Sequence, residues 1–486
     1  MRAGSSAEAA GSRAIPPATG SHVVLDAADS EASASLRNRP MPRAERYAMG
    51  NALRQQVPRS SLADWSPPGD RRDPVVQLAE AHEGRVPELV AIRVGRMVAS
   101  PYGFLRGAAA LMAEDVAGLP STGVMPVICG DAHMGNVGFY GSPERELVLD
   151  LNDFDEAHPG CWEWDLRRLA ASIWVAGRQN GFNEHACAEA AAASVRAYRR
   201  QLGELADQPL LARSLERPNI ARVKASAGDR SLRKELKRAA RRAQGRTSDR
   251  ALPRLTERHH GERRIVADPP LVTRLPEAEA TSLADALDGY LTTLAPHWRR
   301  VLGGYTLVDV AHKVVGVGSV GLRAYVALLE GSSPDDVLFL QLKQARRSVL
   351  ARFVHGDSVW HQHQGQRVVE YQQTLQAVSD PLLGWTSMSG LQLYVRQFRN
   401  MKGTIALDGI NPAALTDYAG ICGGLLAKGH ARTSGASMIS GYLGRSDKVD
   451  IALARFARAY ADQTQSDHAL LAAAARRGEV PVEYGV

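Results

Sequence analysis

Two clusters of polar residues follow two apolar runs between residues 124 and 156, and this pattern constrains the chain more than any other. The first run, Val124–Ile128, leads into a cluster made of Asp131, His133 and Asn136. The second run, Leu147–Leu149, leads into a cluster made of Asp150, Asn152, Asp153, Asp155 and Glu156. A Gly-Ser-Pro turn at residues 141–143 lies between the runs. The pattern predicts a hairpin with one polar cluster on a loop beside a strand and the other at the end of the next strand.

This arrangement suits phosphoryl transfer. One Asp orients or deprotonates the attacking hydroxyl, while an Asn and a second Asp hold magnesium against the nucleotide phosphates. Magnesium prefers hard oxygen ligands, which both clusters supply. Acidic clusters are also common in solvated loops, and metallophosphoesterases use similar Asp-x-His and Gly-Asp segments. The Gly-Asn-His-type and paired His segments that phosphoesterases need are not found downstream, so phosphoryl transfer is the favoured interpretation.

The order Gly-Asp-x-His-x-x-Asn, strand, Asp-Phe-Asp resembles the catalytic and metal-binding loops of aminoglycoside-phosphotransferase-like and protein-kinase-like enzymes. The resemblance implies that Asp131 is the catalytic Asp and that Asn136 is a magnesium ligand. It implies that His133 tethers the catalytic loop. The second metal carboxylate is expected to be Asp153, with Asp150 and Asp155 as its rivals.

The same resemblance implies support for the catalytic loop from the following helix. In phosphotransferase-like proteins an Asp early in that helix braces the loop. Asp165, in the helix predicted after the Pro159-Gly160 turn, is the matching residue.

A second motif contains Gly316, Gly318, Ser319 and Gly321 in a Gly-x-Gly-x-x-Gly pattern. It follows a short apolar strand and precedes an alternating strand at residues 323–329, so a dinucleotide-binding turn, which leads into a helix, is disfavoured. A turn and a third strand at residues 337–342 then lead to Lys343. This is the layout of a protein-kinase nucleotide lobe, although a glycine-rich meander with a surface lysine is the simpler alternative.

The kinase-like resemblance assigns nucleotide contacts to this second region. Gly316, Gly318, Ser319 and Gly321 would let backbone amides approach the phosphates. Lys343 would contact the α- and β-phosphates, and Glu370, on a helix predicted from residue 367, would position Lys343. The strand at residues 391–398 would provide the adenine-binding hinge, at Tyr394 to Gln397.

The order of the two motifs is reversed relative to ordinary kinases, in which the glycine loop comes first. We therefore expect an α+β, two-lobed, protein-kinase-like fold that is circularly permuted, which is possible when the exchanged ends lie close together at the surface. The expected parts are a disordered tail at residues 1–42, a helical catalytic-loop region at 43–300, a β-rich nucleotide-binding lobe at 301–400, and C-terminal helices at 401–486 that pack on the catalytic lobe. A long helix is predicted at Pro412–His430.

The charge and the cysteine content of the chain limit the kinds of partner and site that we expect. The 486 residues carry a formal charge of +7, which suits an anionic substrate such as a nucleotide and does not by itself imply nucleic acid. The basic segment 222–250 is interpreted as a solvated helix face. The arginines at 93, 96 and 106 could bind phosphate, but a surface or salt-bridged position is favoured. Four cysteines without a Cys-x-x-Cys pair argue against zinc and disulfides, and the expected location is the cytoplasm, with no membrane span.

The sequence as a whole resembles DUF2252, a bacterial family of unknown function. The stretches that carry this resemblance are PYGFLRGAAALMAEDVA, GDAHMGNVGFY, LDLNDFDEAHPGCWEWDLRRLAAS, GQRVVEYQ and YVRQFRNMKG. The leading hypothesis is an ATP- and Mg2+-dependent phosphotransferase that acts on a hydroxyl of a small-molecule or protein acceptor. The alternatives are a pseudokinase-like nucleotide-binding module and a metal-dependent phosphoesterase.

Overall fold

The computed structural model describes residues 41–217, 223, 227–314, 320–356, 361–433 and 435–485. Its α-helices are α1 (Arg43–Gln56), α2 (Pro74–Ala81), α3 (Pro87–Val98), α4 (Pro101–Gly107), α5 (Ala109–Ala117), α6 (Trp162–Gln179), α7 (Glu184–Asp207), α8 (Leu210–Leu215), α9 (Arg230–Gln244), α10 (Ser248–Leu255), α11 (Glu277–Leu291), α12 (Pro296–Leu302), α13 (Ala351–Val354), α14 (Gln364–Leu375), α15 (Pro412–Ala431), α16 (Ala436–Leu443) and α17 (Lys448–Arg476). Its strands are β1 (Val127–Ile128), β2 (Val137–Gly141), β3 (Leu147–Leu151), β4 (His158–Pro159), β5 (Thr256–His259), β6 (Glu262–Ile265), β7 (Val272–Arg274), β8 (Thr306–Lys313), β9 (Ala324–Glu330), β10 (Val337–Gln344), β11 (Gly384–Met388), β12 (Leu391–Gln397) and β13 (Gly403–Thr404). Helices and sheets are mixed along the chain, so the fold is α+β.

The largest sheet has six antiparallel strands in the order β11-β12-β10-β9-β8-β7. The alternating segments predicted at 323–329, 337–342 and 391–398 form β9, β10 and β12. In this register Lys343 of β10 lies opposite Tyr394 of β12. Directly opposed residues share a face of the sheet, and the Lys343 Nζ lies 5.3 Å from the centre of the Tyr394 ring.

The hairpin near residue 142 differs from its prediction. The strand that pairs with β3 is β2, which the sequence analysis did not identify, whereas the run Val124–Ile128 contributes only β1, paired with β4. β2 is difficult to recognise in the sequence because Gly138 and Gly141 interrupt the apolar pattern that is typical of a strand. Gly138 is needed there, since a Cβ at this position would lie 2.6 Å from the carbonyl oxygen of Gly403 on β13.

Helix α6 is the centre of the larger core. Every residue from Trp162 to Gly177 is buried, and α7, α15 and α17 pack around this helix. Apolar residues at helical spacing, such as Leu166, Leu169 and Ile173, form its contacts with the core. Because even the polar residues of α6 are buried, they must find partners inside the protein, and several of them find these partners in the site described below.

A second core covers one face of the six-stranded sheet. Leu283 and Tyr290 of α11 and Leu302 of α12 pack there against Leu340 and Val395 of the sheet. The expected boundary at residue 300 is therefore wrong for α11 and α12, which belong with the sheet and not with the helical region. An amphipathic pattern predicts that a helix is half-buried, but it does not say which core the helix covers.

Three further expectations can be compared with the structure. Helix α9 buries Leu232 and Leu236 and exposes its lysines and arginines to solvent. The four cysteines are buried and form no disulfide. Of the helices in the described ranges, none has the length and apolar character that a membrane crossing requires.

Candidate active site

A cavity of about 160 Å³ lies where the acidic loops meet the six-stranded sheet. The charged residues in its wall are Arg85, Arg93, Arg106, Asp131, Asp153, Asp155, Glu156, Arg346 and Arg347. The loop before β2 supplies Asp131, the loop after β3 supplies Asp153, Asp155 and Glu156, and the segment after β10 supplies Arg346 and Arg347. The structure thus places the acidic residues of the first motif beside the end of β10, the strand that carries Lys343.

The backbone before Asp131 is held by Asp165 of α6. The Asp165 carboxylate accepts hydrogen bonds from the amides of Cys129 and Gly130 at 2.7 and 2.9 Å. His430 at the end of α15 lies 3.2 Å from the same carboxylate, and the hydroxyl of Tyr198 lies 2.8 Å from the other ring nitrogen of His430. The predicted bracing role of Asp165 is therefore confirmed, and α15 adds a second layer of support.

Gly130 brings the two acidic loops into contact. Its φ of +74° lies in the left-handed region that favours glycine. A Cβ at this position would lie 2.3 Å from the carbonyl oxygen of Glu156. The Gly-Asp pair of the motif is thus explained by packing, because any larger residue would push Asp131 away from the loop that carries Asp153.

Asp131 lies in the cavity wall and pairs with Arg168 of α6. Burial raises the pKa of Asp131 to about 7, the charge of Arg168 opposes this rise, and the nearby Asp153 adds to it. The Asn136 side-chain amide donates a 2.6 Å hydrogen bond to the Asp131 carbonyl oxygen. This bond closes the loop and leaves the side-chain oxygen of Asn136 available as a metal ligand.

His133 is buried beside Asp131, with its Nε2 3.9 Å from an Asp131 carboxylate oxygen. Burial holds the pKa of His133 well below its usual range, and the charges of Arg106 and Arg168 lower it further. The ring is therefore neutral at pH 7. Its carbonyl oxygen accepts a 2.8 Å hydrogen bond from the Asn136 amide, so the contacts of His133 fit the tethering role that the resemblance implies.

Asp155 connects the acidic loop to the sheet. Its carboxylate accepts hydrogen bonds from the Lys343 ammonium and the Tyr394 hydroxyl, each at 2.7 Å. Burial alone would raise the pKa of Asp155, but the charge and hydrogen bond of Lys343 hold it below its usual range. Arg367 of α14 donates to the Asp155 carbonyl oxygen at 2.7 Å and also to that of Ala157, so the whole loop is fastened to the sheet side.

Of the three candidate metal carboxylates, Asp153 and Asp155 line the cavity and Asp150 does not. Asp150 lies within β3, buried, and accepts a 2.9 Å hydrogen bond from the Leu151 amide. Burial raises its pKa to about 7, and the charges of Lys428 and Arg432 oppose this rise. Because both oxygens of Asp155 already accept hydrogen bonds, Asp153 is the carboxylate best placed for a cation.

The Glu370 prediction differs from the structure. The Glu370 carboxylate lies 3.0 Å from the His361 ring and accepts a 2.7 Å hydrogen bond from Gln366, whereas Lys343 pairs with Asp155. The residue of α14 that reaches the site is Arg367, three positions earlier. The helix was predicted, but its rotation relative to the sheet depends on packing that no local pattern reveals.

The hinge prediction also differs. β12 lies between β10 and β11, so the backbone of Tyr394 is paired on both sides. The Gln397 amide and side chain both donate to Asp380, at 2.8 and 2.7 Å. An adenine-binding hinge requires unpaired backbone groups, so Tyr394 contributes through its hydroxyl to Asp155 instead.

The glycine motif is described only in part. Gly316, Gly318 and Ser319 lie outside the described residues, between β8 and β9. Gly321 has a φ of +90°, and its carbonyl oxygen accepts a 2.7 Å hydrogen bond from the Val86 amide. Arg85 packs against Gly321 and donates a 2.6 Å hydrogen bond to the Val320 carbonyl oxygen. The end of the glycine motif therefore rests on the segment that leads into α3.

Sequence reasoning missed the arginines of the site. Arg93 was expected at the surface, but only 3% of it is exposed, and it donates a 2.6 Å hydrogen bond to the Gly107 carbonyl oxygen. Arg168 was not selected at all, although it lies three positions after Asp165. Residues at this spacing share a helix face, so the expected brace at Asp165 could have identified Arg168.

The donor set fits a magnesium ion bound together with phosphate. Magnesium is usually held by one or two carboxylates plus substrate phosphates, and Asp153 with the side-chain oxygen of Asn136 could supply the protein ligands. Within the described ranges, no three His, Cys, Asp or Glu side chains converge on a ready-made metal site.

A larger open depression of about 860 Å³ lies beside the β5–β6 hairpin and β8. Two arginines in its wall are paired with acids, Arg263 with Glu330 and Arg274 with Glu257. It contains none of the residues of either motif. The smaller cavity, which the acidic residues of the first motif line beside the end of β10, is therefore the candidate active site.

The chain matches the family model described as "Uncharacterized protein conserved in bacteria (DUF2252)" over residues 85–474. The protein belongs to this family. The DUF2252 match includes the cavity residues from Arg85 to Val349 and the supporting residues Arg367 and His430, and it confirms the family resemblance of the sequence. No curated protein and no solved structure matches the chain.

Proposed function

We propose that this DUF2252 protein is an ATP- and magnesium-dependent phosphotransferase that acts on a hydroxyl group. The observation that carries the proposal is the shared cavity: Asp131 and Asp153 line it, and Asp155 in the same wall bonds to Lys343 at 2.7 Å. A base, metal-binding oxygens and a lysine for phosphate are the groups that phosphoryl transfer requires.

Each residue has a defined task in this proposal. Asp131 accepts the proton of the attacking hydroxyl, and its pKa of about 7, raised by burial, suits a base at neutral pH. Arg168 fixes the carboxylate in place. Lys343 exchanges its bond to Asp155 for nucleotide phosphates, which frees a carboxylate next to Asp153. Magnesium, when bound, would neutralise the charge that develops on the phosphates.

The arrangement of elements supports a kinase-like, circularly permuted fold as part of the same proposal. The connection with the glycine motif joins β8 to β9, Lys343 lies near the end of β10, and α14 packs beside them. The acidic loops precede this sheet in the chain, whereas α15, which supports the Asp131 loop through His430, follows it. The cavity is smaller than typical ligand pockets of roughly 300–1,000 Å³, so it suits the phosphates and the reacting hydroxyl, with the nucleoside outside.

Asp131→Asn tests the role of the base. The purified full-length chain, given magnesium and ATP, should consume ATP in the presence of one member of a panel of hydroxyl-bearing metabolites. Asp131→Asn should lower this turnover roughly 10²- to 10⁴-fold, the usual contribution of a general base, and should leave binding of magnesium with a nonhydrolysable ATP analogue unchanged. Asp285→Asn, at an exposed position of α11, is the matched control and should keep full turnover.

Two results would contradict this proposal. If Asp131→Asn remains folded but loses nucleotide binding as well, Asp131 is not a base. If the protein releases phosphate from esters without added nucleotide, the phosphoesterase alternative is correct.

A nucleotide-binding module without turnover is a second candidate, and the Arg168 contact favours it. An arginine bound to Asp131 competes for the oxygen that would accept the hydroxyl proton. This candidate predicts that the ATP analogue binds with magnesium while no metabolite of the panel stimulates ATP consumption. It also predicts that Asp131→Asn changes neither quantity.

A further inference from the structure

Arginines form one wall of the cavity, which we call the cationic wall. Its members are Arg85, Arg93, Arg106, Arg346 and Arg347. Arg85 precedes α3, Arg93 lies on α3 and Arg106 on α4, whereas Arg346 and Arg347 follow β10. The cationic wall therefore faces the carboxylates of Asp131 and Asp153 across a space of about 160 Å³.

Two of the four carboxylates that line the cavity pair with cations outside the cationic wall. Asp131 pairs with Arg168, and Asp155 pairs with Lys343. Neither of these cations belongs to the lining of the cavity. Five arginines and four carboxylates line the cavity, and because two of these carboxylates already pair with cations elsewhere, the cationic wall keeps an excess of positive charge.

Arg85 and Arg93 of the cationic wall donate hydrogen bonds to backbone carbonyl oxygens. Arg85 donates to the carbonyl oxygens of Ala81 and Val320, at 3.1 and 2.6 Å. Across the part of the chain that the structure describes, Arg85, Arg106 and Arg346 form no ion pair with a carboxylate. The buried Nε of Arg106 donates to no acceptor there. A buried guanidinium donor without an acceptor is costly, and a bound anion would satisfy it.

The electrostatic environment of these arginines also favours a bound anion. Burial lowers the pKa of Arg85 to about 10, the charge of Arg346 lowers it further, and the charges of Glu156 and Asp155 oppose this fall only in part. Burial also holds the pKa of Arg93 well below its usual range, and Arg85 adds to this effect. Positive charges thus lie close together in a space that is partly shielded from water. An anion gains more electrostatic binding energy there than it would in bulk water.

We propose that the cationic wall binds an anionic group of the acceptor, so that the substrate is a small hydroxyl compound that carries a phosphate or a carboxylate. This inference rests on the proposed function and names its substrate class. Arg93 and Arg106 lie on the helical side, as Asp131 does, whereas Lys343 lies on the sheet. The helical side and the segment after β10 therefore hold the acceptor, and Lys343 holds the nucleotide phosphates. The anionic group on the cationic wall fixes the distance of the hydroxyl from Asp131.

Inorganic phosphate is the probe, because it carries the proposed chemistry without a nucleotide. Titration calorimetry on the full-length chain should detect phosphate binding. Arg106→Gln and Arg346→Gln should each weaken it by about tenfold or more, as expected for a charge-assisted hydrogen bond. Both variants should bind magnesium with a nonhydrolysable ATP analogue as the unmodified chain does. Arg346 is exposed, so its variant keeps the test valid if Arg106→Gln fails to fold.

Arg242→Gln is the matched control. It removes the same charge from the exposed face of α9, where Arg242 pairs with Glu235, and it should leave phosphate binding unchanged. The inference is overturned if phosphate does not bind, if Arg106→Gln and Arg346→Gln bind it normally, or if these variants lose nucleotide and phosphate to the same extent. In the last case the cationic wall belongs to the nucleotide.

The experiments distinguish a failure of this inference from a failure of the proposed function. Phosphate binding that depends on Arg106, without any ATP consumption, supports the anion site and refutes the transferase. ATP consumption with uncharged acceptors alone, and not with their phosphorylated or carboxylated analogues, supports the transferase and refutes the anion site.

Discussion

Burial decides the charge of His158, three residues beyond Asp155. The side chain is buried, its Nδ1 lies 2.7 Å from the Pro159 carbonyl oxygen, and its Nε2 lies 3.0 Å from the His355 ring. Burial lowers the pKa of His158 to about 3, and the charge of Arg367 acts in the same direction. The ring is therefore neutral in the folded protein at any pH at which the site is expected to work.

This shift predicts a loss of stability in acid. The pKa of an unfolded histidine is about 6.5, so between pH 6.5 and 3 the unfolded chain binds a proton that the folded chain does not. The stabilising contribution is fully present above pH 6.5 and is lost as the pH falls, by about 1.4 kcal/mol per pH unit.

His158→Gln isolates this contribution, because glutamine does not titrate. Urea unfolding at pH 7 and pH 5 should show that the unmodified chain loses about 2 kcal/mol more than the variant does over this interval. An equal loss in both proteins would mean that the folded state accommodates the protonated ring.

At the scale of helices and strands, local sequence signals predicted where individual elements begin and end. Pro412 and the capping Asn411, which accepts a hydrogen bond from Ala414, mark the start of α15 in the sequence, and the helix ends within one residue of its prediction. The third strand was predicted at residues 337–342, and β10 extends two residues further, to Gln344. The partner of Lys343 could not be predicted, since Asp155 is 188 positions away. The local sequence allows either Asp155 or Glu370 as the partner of Lys343. Asp155 is the partner because the acidic loop docks against the sheet.

The same docking explains which parts of the site were predicted. Asp131, Asn136 and Asp153 follow strands at fixed offsets, so their proximity was expected from the sequence alone. The cationic wall was not expected, because Arg93 and Arg106 lie on ordinary amphipathic helices. Nothing in their spacing distinguishes a residue that faces a cavity from one that faces water.

Helix α15 offers a test of packing at two adjacent glycines. A Cβ at Gly423 would lie 2.0 Å from the Ser194 carbonyl oxygen on α7, whereas nothing lies within 4 Å of a Cβ at Gly424. Gly423→Ala should destabilise the protein by about 1–3 kcal/mol, because the two helices must separate. Gly424→Ala, the matched control, should stabilise it by up to about 1 kcal/mol through helix propensity. Thermal unfolding followed by circular dichroism measures both, and equal effects would refute close contact between α7 and α15.

At the scale of the whole molecule, two cores meet at Asp155. The acidic loop adjoins the core built around α6, whereas Leu340 and Leu342, on the strand that carries Lys343, belong to the core of the six-stranded sheet. Only 5% of the Lys343 side chain and 20% of the Asp155 side chain are exposed. A charge pair this deeply buried is costly to break from one side, so it couples the stability of the two cores.

Asp155→Asn and Lys343→Met test this coupling. Each single substitution removes one charge of the buried pair and should lower the free energy of unfolding by about 3 kcal/mol. The double variant should lose clearly less than the sum of the single losses, because it leaves no unmatched charge of this pair. Urea unfolding measures all three variants. Additive losses would mean that Asp155 and Lys343 act independently and that the two cores are not joined through them.

The hydrogen bond between His430 and Asp165 joins residues that are 265 positions apart. Because a ribosome makes the chain from its N-terminus, Asp131 and Lys343 are both synthesised before the helix that carries His430. A nascent polypeptide that has emerged only as far as the six-stranded sheet therefore contains Asp131 and Lys343 without the imidazole that supports the backbone before Asp131. The order of translation keeps the candidate site incomplete until α15 has left the ribosome.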